Sequence, residues 1–253
     1  MTVLHAIGFG EPDGIWGFGW LAEGEAPILV AVRHGAAAEV LEARLAPAAA
    51  EETWRLDGEA VSLALEPSAP PGHGGSSGSL ETTDVLCRVT GRLAIGGEAA
   101  EVGCLGWHGS VQGLDDLFGI ASLRWLGAWL EPSAGFSLIA LRPGKARGHA
   151  SDLIAASLID DPPPPPIDDP RLSTTYTDAG VPLRTGLELW PEVHDDDDPD
   201  ADRTPHYPRR ATGELAGERM VWDAGGFRLS GSPLLWRSHG HCGPGVYVLG
   251  QRP

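Results

Sequence analysis

The sequence predicts an all-β protein with little helix and strands enough for one or two barrels. Three observations predict it. Short runs of alternating apolar and polar residues recur along the 253 positions. Turn chemistry such as Asp57-Gly58, Gly96-Gly97 and Pro143-Gly144 separates them. The spacing of those turns is that of hairpins and not of βαβ units.

Taken in order, 28–33 is the first strand candidate. Residues 36–52 stay open: their Ala, Glu and Leu content favours a helix, while 40–45 also reads as an alternating strand. Asp57-Gly58 joins Trp54-Arg55-Leu56 to a strand in which Val61, Leu63 and Leu65 alternate with Ser62 and Glu66. In 85–95, apolar Val85, Cys87, Val89, Leu93 and Ile95 alternate with Arg88, Thr90 and Arg92, the period of a half-buried strand. Gly96-Gly97 then predicts a two-residue hairpin. Residues 114–122 have room for a short helix with Asp115 and Asp116 in its first turn, where negative charge is favoured. Further strands are expected over 123–130, 136–142, 153–159, 183–190, 227–230 and 246–249. Segments 67–78, 160–170, with five consecutive prolines, and 194–208 read as loops, since proline removes ladder donors and glycine raises backbone entropy. A boundary near 98–106 is expected to divide the chain into an N-terminal β-domain, 1–100, and a C-terminal β-domain, 101–253, that carries the acidic and proline-rich loops.

Composition bounds the function. The net charge of −17 excludes a phosphate-binding surface, so nucleic acid is not an expected partner. Ten of the aspartates lie in the two runs 160–169 and 195–202, and without them −17 becomes −7, that of an ordinary acidic protein. No run approaches the roughly 18 apolar residues of a membrane span, and no basic segment precedes an apolar run in residues 1–20. Cys87, Cys104 and Cys242 are odd in number and widely spaced, unlike a disulfide framework. Together these lead to the expectation of a soluble cytoplasmic protein.

The glycine-rich piece Gly106-Trp107-His108-Gly109-Ser110 reads as a turn. It follows the strand Cys87-Arg-Val-Thr-Gly-Arg-Leu-Ala-Ile-Gly-Gly-Glu and precedes Trp125 and Trp129, with Tyr176-Thr-Asp-Ala-Gly180 and Gly243-Pro-Gly-Val-Tyr247 further on. This layout, from about Phe9 to Tyr247, resembles the tandem lipocalin-like proteins that include carotenoid hydratases of the hydroxyneurosporene synthase type and actinobacterial relatives. Of that group's Arg-Asp-His-Ser-Trp-Gly motif His108 is matched, whereas Leu105 to Trp107 offer neither Arg nor Asp. The resemblance implies two lipocalin-like β-barrels side by side with an apolar cavity.

His108 beside Trp107 is the first catalytic candidate, because an imidazole donates or accepts a proton near neutral pH. Asp115 and Asp116 follow: a carboxyl kept protonated by an apolar pocket could protonate an alkene, as a hydratase or isomerase of terpenoids requires. A hydrogen-bonded turn histidine and helix-capping aspartates are the structural alternative. Nine tryptophans against three tyrosines and five phenylalanines is a skewed choice. Trp107, Trp125, Trp129 and Tyr176 are the candidate ligand-binding residues for a flat or polyene molecule, although wide barrel interiors are also filled by such rings. His239, His241 and Cys242 form at most half of a metal site, and no metal or nucleotide cofactor is expected. The acidic run 195–202 lacks the pattern of a calcium loop, and Gly109-Ser110-Val-Gln-Gly113 lacks the strand-to-helix setting of a nucleophile elbow. The expected function is binding of a hydrophobic small molecule, terpenoid or lipid-like. The alternative is a cofactor-independent hydratase or isomerase.

Overall fold

The computed structural model describes residues 2–22, 27–48, 53–75, 80–114, 119–144, 146, 151–160, 162, 164–192 and 207–253. Two antiparallel sheets account for the fold, which is all-β: one closed eight-stranded barrel and one nearly closed barrel lie side by side. The first is built from β1 (Thr2–Gly10), β2 (Ile15–Ala22), β3 (Ile28–His34), β4 (Ala37–Pro47), β5 (Trp54–Asp57), β6 (Val61–Pro67), β8 (Glu81–Ile95) and β9 (Glu98–Leu114). Pairing of β6 with β8 closes it, and β7 (Gly72–Gly75) is an edge strand on β8. The second follows the order β12 (Leu153–Ile159), β11 (Ala134–Pro143), β10 (Ile120–Glu131), β18 (His241–Gln251), β17 (Phe227–Ser238), β15 (Arg209–Leu215), β14 (Pro182–Pro191) and β13 (Ile167–Tyr176). The short β16 (Met220–Ala224) pairs with β17.

Side-chain alternation sorts the core into three layers. Ile7, Phe9, Val30, Leu41, Leu63, Cys87 and Val89 fill the first barrel. Leu126, Phe136, Leu138, Leu187, Trp236 and Tyr247 fill the second. The opposite faces of β1, β2, β9, β10 and β18 meet in a third layer that includes Leu4, Phe18, Trp107, Trp125, Trp129 and Val246. Polar contacts cross that layer too: Trp129 Nε1 donates to the Gly10 carbonyl at 3.0 Å, and Arg33 pairs with Glu218. Sheet membership changes between Leu114 and Ile120.

Local chemistry explains most elements. Gly96 and Gly97 turn β8 into β9 at φ 61° and 83°, the two positive values a tight hairpin needs. His239 and Gly240 do the same between β17 and β18, at 48° and 87°. Segment 37–47 is strand, not helix: Leu41 and Ala43 are buried while Val40, Glu42 and Arg44 face out, and β3 and β5 supply hydrogen bonds on both sides. The loop expected over 67–78 contains β7, and the one over 160–170 runs into β13; both are edge strands, where a glycine-rich or proline-bearing segment is tolerated. Residues 115–118, with Asp115 and Asp116, and most of 194–208 lie outside the described residues.

Candidate functional site

The segment read as a turn around His108 is continuous strand. In β9, Trp107 pairs with Leu86 and His108 with Val85 across β8, while on β1 their partners are Gly8 and Ile7. The glycines are there for closeness, not for turning. A Cβ on Gly109 would lie 2.3 Å from Trp107 Cζ2 and 2.6 Å from Asp84 Oδ1, and one on Gly106 would lie 2.6 Å from the Gly8 carbonyl oxygen.

Alternation along β9 sends Trp107 and His108 to opposite faces. His108 enters the first barrel, 5% exposed. Its ring stacks on His5 of β1, with centroids 5.5 Å apart and planes 6° apart, and lies 4.6 Å from the Trp54 ring of β5. His5 Nδ1 and His108 Nε2 are 3.4 Å apart, so one imidazole donates and the other accepts. Below this cluster Ile7 and Phe9 are buried, and the Phe9 ring takes the space that a side chain at Gly17 would need. His5 and Trp54 within the cluster, and Val85 and Ser110 beside it, are partly exposed. The imidazole pair therefore sits where the wholly buried apolar filling of the first barrel gives way to partly exposed side chains.

Burial, and secondarily the neighbouring His5, lowers the His108 pKa to about 3. At neutral pH it is an uncharged imidazole, able to accept a proton or a hydrogen bond. Burial pushes the nearby Cys87 thiol up to about 12, which leaves it inert.

Trp107 faces the layer between the barrels, where it meets Trp125 edge-on at 5.9 Å. Its Nε1 donates to Asp84 Oδ1 at 2.7 Å, and Ser157 Oγ donates to Asp84 Oδ2 at 2.5 Å. Asp84 is thus a buried carboxyl joining β9 of the first barrel to β12 of the second. Desolvation raises its pKa, and hydrogen bonds from Ser157, Ser137, Trp107 and Thr82 oppose the rise. Trp125 and Trp129 are 1% and 2% exposed in the same layer, filling it instead of lining the barrel interior that holds His108. Tyr176, 43% exposed, ends β13, with its hydroxyl 3.4 Å from that of Tyr247. The structure therefore brings Trp107 together with Trp125, and neither Trp129 nor Tyr176 with His108. His241 pairs with Glu131 at 2.7 Å, and among the described residues no three His, Cys, Asp or Glu side chains are grouped to hold a metal ion.

His5, Trp54 and Asp84 were not singled out from the sequence. Alternation in residues 5–9 assigns His5 to the face of Ile7 and Phe9, but its approach to His108 spans 103 residues, which local pattern does not carry. Asp84 precedes an alternating strand and reads as a strand-flanking acid, and only the packing of β12 against β8 reveals its burial.

No known protein family matches the sequence, and no curated protein does. Solved structures do match in shape. A proposed AttH from Nitrosomonas europaea superposes with a TM-score of 0.61 at 13% identity, over 98% of this chain and 92% of that one. CghA in complex with Sch210972 gives 0.64 at 9% identity, over 99% and 88%. Kievitone hydratase from Nectria haematococca gives 0.53 at 7% identity, over 99% and 88%. At such identities the likeness establishes one thing: this chain shares with these proteins the fold of two lipocalin-like barrels side by side.

Proposed function

We propose that the protein binds a hydrophobic small molecule, terpenoid or lipid-like, at the open end of the first barrel. The observation that carries this reading is the imidazole pair itself. A buried, uncharged His108, stacked on His5 and tilted against Trp54, is set into an otherwise apolar interior. Such a group recognises a single polar atom, a hydroxyl or carbonyl, on an apolar body, while Trp54 and Val85 cover the rest. The nearby Cys87 thiol adds no charge. A panel of terpenoid alcohols and fatty alcohols, followed by tryptophan fluorescence, tests the reading: His108→Gln is expected to weaken binding about tenfold, roughly one hydrogen bond. Equal affinities in the two proteins would refute it.

A second reading has its own support. A neutral imidazole paired with a second imidazole is an acid–base couple, and one of the shape neighbours is a hydratase. A cofactor-independent hydratase or isomerase would use His108 as the base toward water or a substrate C–H, with the proton passing to His5. Asp115 and Asp116 remain proposed acids for this scheme. Turnover that His108→Gln abolishes while binding survives would favour catalysis over binding alone.

A further inference from the structure

Strand register in the first barrel sets a row of polar side chains beside the imidazole pair. Across β7, β8, β9 and β1 the successive cross-strand partners are His73, Thr83, Ser110 and His5. Side chains two residues apart on a strand share a face, so Ser110 follows His108 on β9 and Thr83 follows Val85 on β8. Ser110 stands about 7 Å beyond His108 along the strand. His73 is exposed, and Thr83, Ser110 and His5 are partly exposed, so the row is within reach of a ligand. Apolar side chains continue this end of the barrel on other strands: Leu21 of β2, Leu45 of β4 and Trp54 of β5 are partly buried and pack against the same core.

The chemistry of the row is two-sided. A serine or threonine hydroxyl donates one hydrogen bond and accepts two, and a neutral imidazole does one of each. A ligand group that matches several of them must also do both, which an alcohol does and a carbonyl, carboxylate or ammonium does not. The bonds these hydroxyls make within the protein are long. Thr83 Oγ1 is 3.4 Å from His73 Nδ1, and Ser110 Oγ donates to the Thr83 carbonyl at 3.4 Å, against about 2.8 Å for a well-made hydroxyl bond. Ligand hydroxyls therefore compete for them at little cost. One row further out, the exposed Glu81 carboxylate pairs with Gln112. It disfavours an anionic head, as does the net charge of −17. The row itself carries no carboxylate, so a cationic head gains little from it.

We propose that the molecule bound at this end of the first barrel is an uncharged amphiphile with a polyhydroxylated head, of the monoalkylglycerol class. One oxygen of the head meets His108, further hydroxyls exchange hydrogen bonds with Ser110 and Thr83, and the chain lies on Leu21, Leu45 and Trp54. This rests on the binding role given above to the same site and adds a second point of polar recognition to it.

The probes are 1-O-decylglycerol, decanol and decylamine, compared by calorimetry on the full chain. The wild type is expected to bind decylglycerol at least about tenfold more tightly than decanol, the effect of one or two further hydrogen bonds, and decylamine no more tightly than decanol. Ser110→Ala and Thr83→Val should each cut the preference for decylglycerol over decanol at least about threefold. Both positions are partly exposed strand sites, and a normal melting curve separates lost recognition from lost folding. His108→Gln should weaken decylglycerol and decanol alike. Decanol bound as tightly as decylglycerol, decylamine bound more tightly than either, or a preference undiminished in both variants would overturn this proposal and leave the binding role standing. Failure of all three probes to bind would also overturn it, and the terpenoid alcohols would then decide the binding role separately.

Discussion

A single methyl group on β9 measures how tightly the two barrels are joined. Gly103 and Gly109 occupy the same strand, six residues apart. A Cβ on Gly103 meets nothing within 4 Å, whereas one on Gly109 lies 2.3 Å from Trp107 Cζ2 and 2.6 Å from Asp84 Oδ1. Carbon atoms pack at about 3.5–4.0 Å, so Gly109→Ala requires a displacement of more than about 1 Å. Neither neighbour is free to give. Trp107 is 0% and Asp84 2% exposed; they are hydrogen-bonded to each other, and Trp107 is braced on Trp125. Overpacking costs about 1–3 kcal/mol, and pulling the indole from a buried carboxyl costs about another 1–3 kcal/mol. The total is about 2–6 kcal/mol, which at a urea m-value of about 3 kcal/mol/M lowers the midpoint by roughly 0.7–2 M. Gly103→Ala is the internal control, expected to be neutral or stabilising by up to about 1 kcal/mol. Urea unfolding followed by tryptophan fluorescence reads both. Unfolding free energies for the two variants within about 0.5 kcal/mol of each other would refute the close packing described for Trp107 and Asp84.

Further expectations concern titration, reactivity and cooperativity. The folded-state pKa of Asp84 is raised above its unfolded value of 3.8, so the folded protein retains a proton that the unfolded chain loses. Stability therefore falls as pH rises from about 3.8 through the folded pKa. Asp84→Asn should remove that slope in urea melts at pH 4 and pH 7, and an unchanged slope would contradict the assignment. His108 has the opposite sign of pH dependence: its folded pKa is lowered to about 3, so its contribution is full above 6.5 and lost as pH falls from there toward 3. Its imidazole proton resonances should not titrate between pH 7.5 and 5, and a midpoint near 6.5 would place the ring in water. Cys242 is exposed and Cys87 buried with its pKa pushed up to about 12. A thiol reagent should therefore modify Cys242 in the native protein and reach Cys87 only on unfolding. Because one apolar layer draws on both sheets, thermal unfolding is expected to be a single cooperative transition. Two separated steps would show that the barrels fold independently.

The fold class was legible because it rests on local signals: period-two alternation in residues 85–95 and the paired glycines that follow are enough to fix a hairpin. Segment 36–52 was not, because its intrinsic preference for helix is overridden by the ladders that β3 and β5 provide. The Gly-Trp-His-Gly segment misled for a different reason. Glycine signals both turns and close approach, and only the packing of Trp107 and of Asp84, the cross-strand partner of Gly109, on the same face shows that Gly109 makes room for them. His108 was legible as an imidazole beside Trp107 in a glycine-flanked piece and as the matched residue of the motif the layout resembles. Its partners His5 and Trp54 were not, since barrel closure brings them from distant strands.

The central claim is that the open end of the first barrel, with His108 at its floor, is where a hydrophobic molecule binds. NMR titration of the labelled protein with a terpenoid alcohol such as farnesol tests it most directly. The account predicts saturable shifts concentrated on the His5 and His108 imidazoles and the Trp54 indole, with those of His5 and Trp54 needing about tenfold more ligand in His108→Gln. Shifts confined to the junction around Trp125 and Trp129, or none at saturating ligand, would contradict it.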